Sequence, residues 1–219
     1  SVDGSFALGG CVCAILVVEN GMDPLLALMV ATLAGMVAGA VTGMLHTLFD
    51  IPAILAGILT QIGLWSVNLR IMGKSNFPLL KVDTIFSRIV DILGVKQSAV
   101  SLVIGILIAV LIIVFLYWLF GTEIGSALRA TGNNEDMIRA LGVNTKMTKL
   151  LALTISNGLV GLSGGLVCQS QKYADIGMGT GAIVIGLAAI VIGEVLMGRL
   201  KSFGSKLSSA VTGCVVYFP

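Results

Sequence analysis

Two long runs of apolar residues without a single charge constrain this chain more than any other feature of its sequence. They extend from Leu25 to Leu45 and from Ser98 to Phe120. About 20 apolar residues are enough for an α-helix to cross the hydrocarbon core of a bilayer, and in lipid a helix satisfies its own backbone polar groups. The runs therefore predict an all-α fold, a polytopic transmembrane helical bundle.

Further apolar segments raise the number of predicted spans. The segment from Gly4 to Val18 is short for a full span, so it is either a half-helix or the remnant of a longer one. We expect six or seven membrane segments within a single transmembrane domain, 1–219, that is itself a piece of a longer protein. The other candidates are Ile51 to Leu69, Leu150 to Cys168, Gly181 to Gly198 and a segment that begins at Leu207.

The composition agrees with lipid as the solvent. Hydrophobic residues make up 57% of the chain and charged residues 11%, and the mean hydropathy is +1.05. A soluble domain carries about a quarter of its residues as charged side chains, so this chain could not cover a globule with polar surface. The net charge of +2 and the absence of a long basic run argue against a nucleic-acid partner.

The sequence gives no sign of a catalytic, cofactor or metal site. Cys11 and Cys13 form a Cys-x-Cys pair, but no second pair and no histidine accompany them, so we interpret them as small buried apolar side chains. No phosphate-binding loop is present. The glycines between Gly177 and Gly181 are superficially similar to a dinucleotide-binding loop. We expect no strand before them, and the start of a membrane helix explains them without a ligand.

Polar residues concentrate in two connections, 70–97 and 121–149. In the first, apolar side chains between Val82 and Leu93 recur at helical spacing, which predicts either a helix that lies in the membrane interface or on a partner, or a core helix of an external cap. Alternating spans would place loops 46–50, 121–149 and 199–206 on one side. That side carries seven Lys and Arg residues against six on the other, so charge does not decide the orientation.

Residues 121–149 predict two short helices joined by a sharp turn, which we call the elbow. Gly132 is expected to end the first helix in a left-handed conformation, and Asn133 or Asn134 to cap the second. Gly142 is expected to stop that second helix, and Asn144 with Thr145 to cap the next membrane helix. Such an elbow would be rigid, which suits a contact with another protein, although a well-capped connector has the same sequence pattern.

The run from Leu128 to Asn144 resembles the cytoplasmic coupling segment of ABC transporter permeases of the branched-chain amino-acid and ribose type. The similarity continues through 156–165, 177–181 and 188–194, and Asp3 to Gly9 is similar to an element near an early helix of these permeases. It covers most of the chain. The resemblance implies that the elbow contacts the ATPase through Arg129, Ala130, Gly132, Asn134, Glu135, Arg139, Leu141 and Gly142.

The resemblance also implies the partners and the location. They would be an ABC ATPase subunit, an extracytoplasmic substrate-binding protein and a second permease copy, in the cytoplasmic (inner) membrane. The elbow would then be cytoplasmic and the 70–97 loop external. The stretches 42–46, 55–59 and 66–73 are similar to a subgroup that imports hydrophobic or aromatic amino acids. Residues 197–204 lack the Gly-Gly-x-Gly run frequent in sugar permeases, which counts against a sugar substrate.

A few residues stand out inside or beside the apolar segments. Asp3, Ser5 and Asn68 are candidates for the substrate pathway, because polar groups at membrane depth are costly. Asp3 and Asn68 lie near predicted helix ends, where capping or snorkelling is the alternative explanation. Gly35, Gly39 and Gly43 recur at every fourth position, which predicts close helix packing, with a pore hinge as the alternative. Glu194 is expected to be neutralised by Arg199 and Lys201, and His46 to lie at the membrane boundary.

Two other functions remain open at this point. An ion-coupled secondary transporter would carry ionisable pairs or broken helices near the bilayer midplane, and the central parts of the two longest apolar runs contain none. A membrane scaffold without transport activity is the second alternative.

Overall fold

The computed structural model describes residues 1–79, 84–94, 97–197, 209–214 and 216. Within these ranges the chain is almost entirely helical, with one pair of three-residue strands. In chain order the elements are α1 (Val2–Val18), α2 (Pro24–Thr47), α3 (Ala53–Met72), β1 (Asn76–Pro78), α4 (Ile85–Leu93), α5 (Gln97–Gly121), α6 (Glu123–Asn133), α7 (Glu135–Ala140), α8 (Thr145–Gln171), β2 (Tyr173–Asp175) and α9 (Ala182–Met197).

The predicted spans correspond to helices throughout the described residues. Four of these helices, α2, α3, α5 and α8, are long and apolar enough to cross a membrane, and α1 and α9 are shorter apolar helices. The all-α polytopic prediction is confirmed. Helix α8 begins at Thr145, five residues before the apolar run from Leu150, because Asn144 caps it there. Of the segment predicted from Leu207 onward, residues 209–214 and 216 are described, and they are helical.

Contacts between loops define two ends of the bundle. At the elbow end, Lys146 in the first turn of α8 pairs with Asp50 in the α2–α3 turn at 3.6 Å. At the opposite end, which we call the strand end, β1 pairs with β2, and Arg88 of α4 pairs with Asp23 before α2 at 3.0 Å. The turns near residues 46–50 and 121–149 therefore lie at the same end. The 199–206 loop is outside the described residues.

The two strands correct one sequence expectation. β2 ends two residues before Gly177, whereas we expected no strand there. It pairs antiparallel with β1, with Ala174 opposite Phe77. Strand patterns become readable over four to eight residues, so a three-residue strand leaves no periodicity to detect. The pair ties the end of α3 to the end of α8, because β1 follows α3 and β2 follows α8.

Helix α8 packs against α1 and α2 at glycine positions. A Cβ atom at Gly161 would lie 3.1 Å from the Cα of Gly35 on α2, and a Cβ at Gly9 on α1 would overlap the backbone of Gly161. Side chains larger than hydrogen are excluded at these points. Small residues at a helix contact let the backbones approach closely, and van der Waals packing in lipid depends on that approach. The helices α1, α2 and α8 therefore form the tightest part of the bundle.

The three glycines predicted to pack lie on this contact. A Cβ at Gly35 would meet the carbonyl oxygen of Asn157, and one at Gly39 would meet the carbonyl oxygen of Leu153. At Gly43 the nearest atom is the Cα of Leu150, at 3.1 Å. The space therefore tightens from Gly43 at the elbow end toward Gly39 and Gly35.

A substitution at Gly39 tests this contact. Gly39→Leu would force the backbones of α2 and α8 apart, and overpacking of this kind typically costs about 1–3 kcal/mol. We expect a lower yield of inserted protein and a lower melting temperature in detergent. Gly105→Leu is the matched control, because a Cβ at Gly105 on α5 meets nothing within 4 Å. Equal stability of the two variants would contradict the close α2–α8 packing.

Candidate functional site

The first elbow helix, α6, is capped at its start by Thr122, whose hydroxyl accepts a hydrogen bond from the N–H of Gly125 at 3.3 Å. It continues through Gly132 to Asn133, so the expectation that Gly132 ends this helix is wrong. The chain leaves the helix at Asn134, which is extended with φ −153°. The reason is local: Asn134 must take this conformation to cap the next helix, and it therefore ends α6 without a left-handed glycine.

The second elbow helix, α7, is closed at both ends as the sequence predicts. Asn134 Oδ1 accepts from the N–H of Met137 at 3.1 Å. At the other end Gly142 has φ +85°, its N–H donates to Arg139, and the N–H of Val143 donates to Ile138 at 3.3 Å. This pair of bonds is a Schellman motif.

The cap of α8 follows directly, since Asn144 Oδ1 accepts from Met147 N–H at 3.2 Å. Asn144, the N-cap of α8, thus follows only two residues after Gly142, which ends α7.

Glu135 ties α7 to α8 through a small polar network. Lys149 Nζ lies 2.6 Å from Glu135 Oε2, and Arg139 lies 3.0 Å from Glu135 Oε1. Arg139 also donates to the Thr145 hydroxyl at 3.4 Å. The hydrogen bond from Lys149 is the main cause that lowers the pKa of Glu135 below its usual value. The network is therefore intact at every pH above the usual pKa of a glutamate side chain. It is lost only as the pH falls through the lowered pKa of Glu135.

Most elbow residues singled out by the resemblance face outward. Leu141 is 70% exposed and Met137, one turn before it, is 56% exposed. Ile138 is buried, so one large apolar side chain of α7 faces inward, while Met137 and the C-cap residue Leu141 face outward. Ala130 and Glu135 are partly buried, whereas the exposed members of the set are Arg129, Gly132, Asn134, Arg139, Leu141 and Gly142.

A second polar region lies between α1 and α3. Asp3 and Asn68, both predicted pathway candidates, line the same small recess together with Gln61, Trp65 and Thr180. Ser5 is not part of it. Its hydroxyl donates to Asn157 Oδ1 at 2.7 Å, toward α8. The structure thus brings two of the three candidates together and gives the third a buried structural partner.

This recess lies well inside the apolar length of the bundle. At about 1.5 Å per residue, Gln61 is about 12 Å and Asn68 about 22 Å along α3 from its elbow end, in a helix about 30 Å long. The 176–181 segment descends beside α1, so that the N–H of Ile183 donates to Asp3 Oδ1 at 3.2 Å. Asp3, in the first turn of α1, therefore lies beside the part of α3 that runs from Gln61 to Asn68.

Two buried polar residues escaped the sequence analysis. Asn157 and Gln169 lie on α8 and are at most 1% exposed. Gln169 donates to the carbonyl oxygen of Pro24 at 3.0 Å and accepts from the N–H of Ile85, so it links α8 with α2 and α4. The rule that a polar side chain inside a span is a functional candidate would have found both.

The other residues singled out have local explanations. His46 lies in the last turn of α2, and its Nδ1 is 2.8 Å from the carbonyl oxygen of Ile51. Glu194 is exposed on α9, and its predicted neutralising partners Arg199 and Lys201 lie outside the described residues. Among the described residues, no group of His, Cys, Asp or Glu is arranged to hold a metal ion.

Comparison with known proteins identifies the family. Residues 1–218 match the family described as "Branched-chain amino acid transport system / permease component". The chain is 37% identical to the tyrosine transport system permease protein of Clostridioides difficile (strain R20291), an alignment that covers 99% of this chain and 70% of that protein.

More distant relatives are transport permeases as well. The chain is 27% identical to the ribose import permease protein of Escherichia coli (strain K12), over 97% of this chain and 66% of that protein. It is also 27% identical to the autoinducer 2 import system permease protein of Salmonella paratyphi B (strain ATCC BAA-1250 / SPB7), over 89% of this chain and 56% of that protein. No solved structure matches.

These similarities favour a permease over a gradient-driven transporter or a scaffold. The apolar helices α2, α3, α5 and α8 agree with a multi-pass protein of the cytoplasmic membrane. Permeases of this kind work with an ATPase and a binding protein and are not themselves the catalytic subunit. The chain belongs to the permease family of the branched-chain amino acid transport systems, and it is a membrane-spanning subunit of an ABC importer.

Proposed function

We propose that this permease imports an amino acid and that the elbow is the surface on which a separate ATPase subunit acts. The observation that carries the proposal is the continuous fixation of α7 to α8. A cap, a Schellman stop, a second cap and the Glu135–Lys149 pair follow one another within 16 residues, from Asn134 to Lys149. A force applied to α7 therefore moves the start of α8 rather than bending the connection.

The packing of α8 extends this motion into the bundle. Its glycines contact α1 and α2 without intervening side chains, so a displacement of α8 is passed to both helices directly. Coupling between distant sites needs a packed element with two arrangements that both sites bias. In this proposal the element is α8 with α7 attached. The permease does no covalent chemistry, and ATP hydrolysis takes place in the partner.

The outward apolar side chains in α7 and at its C-cap fit a protein contact. Leu141 and Met137 are exposed at the elbow end, next to the charged Arg139. Methionine and arginine are enriched at the centre of protein interfaces. We propose that they enter a groove on the ATPase, which makes the elbow end cytoplasmic.

The strand end would then face outward and receive the binding protein. Hydrogen bonds fix the start of α4 at this end. Thr84 and Ser87 form a capping box, and the side-chain oxygen of Gln169 accepts from the N–H of Ile85, the first residue of α4. Arg88 adds a link to Asp23 at 3.0 Å. The burial of Phe86 at 4% exposure favours a packed cap helix over a helix lying in lipid.

An amino acid is the substrate class we propose, and an aromatic or hydrophobic one in particular. The support is the difference in similarity: 37% identity to the permease named for tyrosine, against 27% to the one named for ribose. A homodimer of permeases around a central pathway completes the proposed assembly. Uptake of radiolabelled tyrosine, leucine and ribose, each measured separately in vesicles, tests the substrate class, and uptake of ribose without uptake of either amino acid would contradict it.

Membrane topology provides a direct test of the orientation. Single cysteines introduced at Asn134 and Arg88 into a variant without native cysteines should label from opposite sides, Asn134 from the cytoplasm and Arg88 from outside. The reason is that the two residues lie at opposite ends of a bundle that is about 30 Å long or more. Labelling of both cysteines from the same side would contradict the proposed topology.

The coupling role predicts a specific loss in two elbow variants. Gly142→Val is strained, because a β-branched residue is unfavourable at φ +85°. Arg139→Glu places like charges four residues apart beside Glu135 and opposes the α7 dipole. We expect normal insertion, normal docking of loaded binding protein, and at least about a tenfold loss of both uptake and stimulated ATP hydrolysis, a loss equivalent to about 1.4 kcal/mol.

Matched controls separate this effect from a general loss of stability. Gly105→Val makes the same substitution in a helix facing open space, and Arg139→Lys keeps the charge. Both should retain hydrolysis and uptake. If correctly inserted Gly142→Val and Arg139→Glu also work at the wild-type rate in reconstituted vesicles, the elbow is only a connector.

A further inference from the structure

The recess between α1 and α3 contains a buried polar atom without a partner. Asn68 is 1% exposed, and its Oδ1 makes no hydrogen bond within the described part of the chain. An unsatisfied buried acceptor is expensive, and each one in a folded protein calls for an explanation such as a bound molecule. The free space beside it is about 10 Å³, enough for one group the size of a water molecule.

Among the described residues that line this space, the one with a charged side chain, Asp3, is negative. Asp3 lines the recess, and its Oδ1 accepts one hydrogen bond, from Ile183 at the start of α9. None of the salt bridges among the described residues includes Asp3. The positive end of the α9 dipole offsets part of the charge. A carboxylate has room for further donors, and at membrane depth a positive group beside it would be stabilising.

The remaining lining has the chemistry that binds an ammonium group. Gln61 and Thr180 add oxygen acceptors, and Trp65, half exposed on α3, adds an aromatic ring next to the opening. A primary ammonium carries one positive charge and three N–H donors in a volume close to that of water. The ring face of a tryptophan attracts a cation. A water molecule would bring two donors and no charge.

We propose that this recess holds the primary ammonium group of an amino-acid substrate as it passes α3. This inference rests on the proposed function, since it specifies where the amino acid would be held. The ammonium would donate to Asp3 and to Asn68 Oδ1 while the rest of the substrate lies against the exposed face of α3. That face would therefore line the pathway.

Tryptophan fluorescence gives a test that does not require transport. Residues 1–219 include two tryptophans, Trp65 and Trp118, so Trp118→Phe, together with Phe at any tryptophan elsewhere in the full-length permease, leaves Trp65 as the reporter. In the full-length permease in detergent, methylammonium chloride should change the Trp65 emission saturably. Sodium chloride at equal ionic strength and tetramethylammonium, which is too large, should not. A response to sodium alone, or identical responses to all three salts, would overturn the proposal and leave a recess that holds only water or a metal ion.

Two substitutions should remove the response without unfolding the protein. Asp3→Asn keeps an oxygen that can accept from Ile183 but loses the charge, and Asn68→Leu removes an acceptor that has no partner, so neither should reduce insertion. We expect the apparent affinity for methylammonium to fall about tenfold or more in each. Glu19→Gln, an exposed carboxylate at the strand end, is the matched control and should leave the affinity unchanged.

Uptake in vesicles with the ATPase and binding protein then separates the two proposals. If the wild type transports tyrosine and Asp3→Asn transports it equally fast, with ATP hydrolysis unchanged in both, the ammonium site is wrong and the importer function stands. If the wild type takes up no amino acid, the proposed function fails, and the fluorescence result still decides whether the recess binds an ammonium group. Loss of uptake in Asp3→Asn with preserved stimulated hydrolysis supports both.

Discussion

The close approach of α8 to α1 and α2 is the contact on which the rest of this structure depends. In lipid, apolar surface gains little by leaving one apolar environment for another, so helices associate through packing and a few polar links. Gly161 meets Gly35 on one side and Gly9 on the other, and the Ser5–Asn157 hydrogen bond lies beside this point at 2.7 Å. The elbow directly precedes α8 and the recess lies beside α1, so the packing of these three helices sets the positions of both.

The backbone conformation of the elbow is well defined because the hydrogen bonds and ion pairs that hold it join residues close together in the chain. Asn134 and Asn144 each satisfy a helix start, Gly142 provides the one left-handed turn between them, and Glu135 reaches Lys149 on the following helix. Local bonds of this kind depend little on the lipid or on other helices. An element that is fixed to α8 in this way, yet exposes Leu141, is suited to receive a force from outside the membrane.

The buried polar side chains inside the bundle fall into two sets: those whose polar atoms have hydrogen-bond partners and those that have an atom without one. Gln169 and Asn157 have partners in the bundle and act as structural links between helices. Asn68 has an oxygen without one, next to a carboxylate that retains acceptor capacity. Because unpaired polar atoms in an apolar surrounding are costly, the second set points to a ligand and the first to folding. The distinction rests on hydrogen-bond partners rather than on residue type.

The sequence by itself determined the spans, the caps and the glycine face, because helix length, capping and the fourfold glycine spacing are encoded by residues near one another in the chain. It failed at Gly132, where the capping demand of Asn134 outweighed the glycine, and before Gly177, where a strand of three residues has no readable period. Only the tertiary structure decided that Asp3 and Asn68 share one recess while Ser5 turns toward Asn157. Those neighbours lie on different helices, and their proximity follows from how closely the glycines let α8 approach and how deep the 176–181 segment descends.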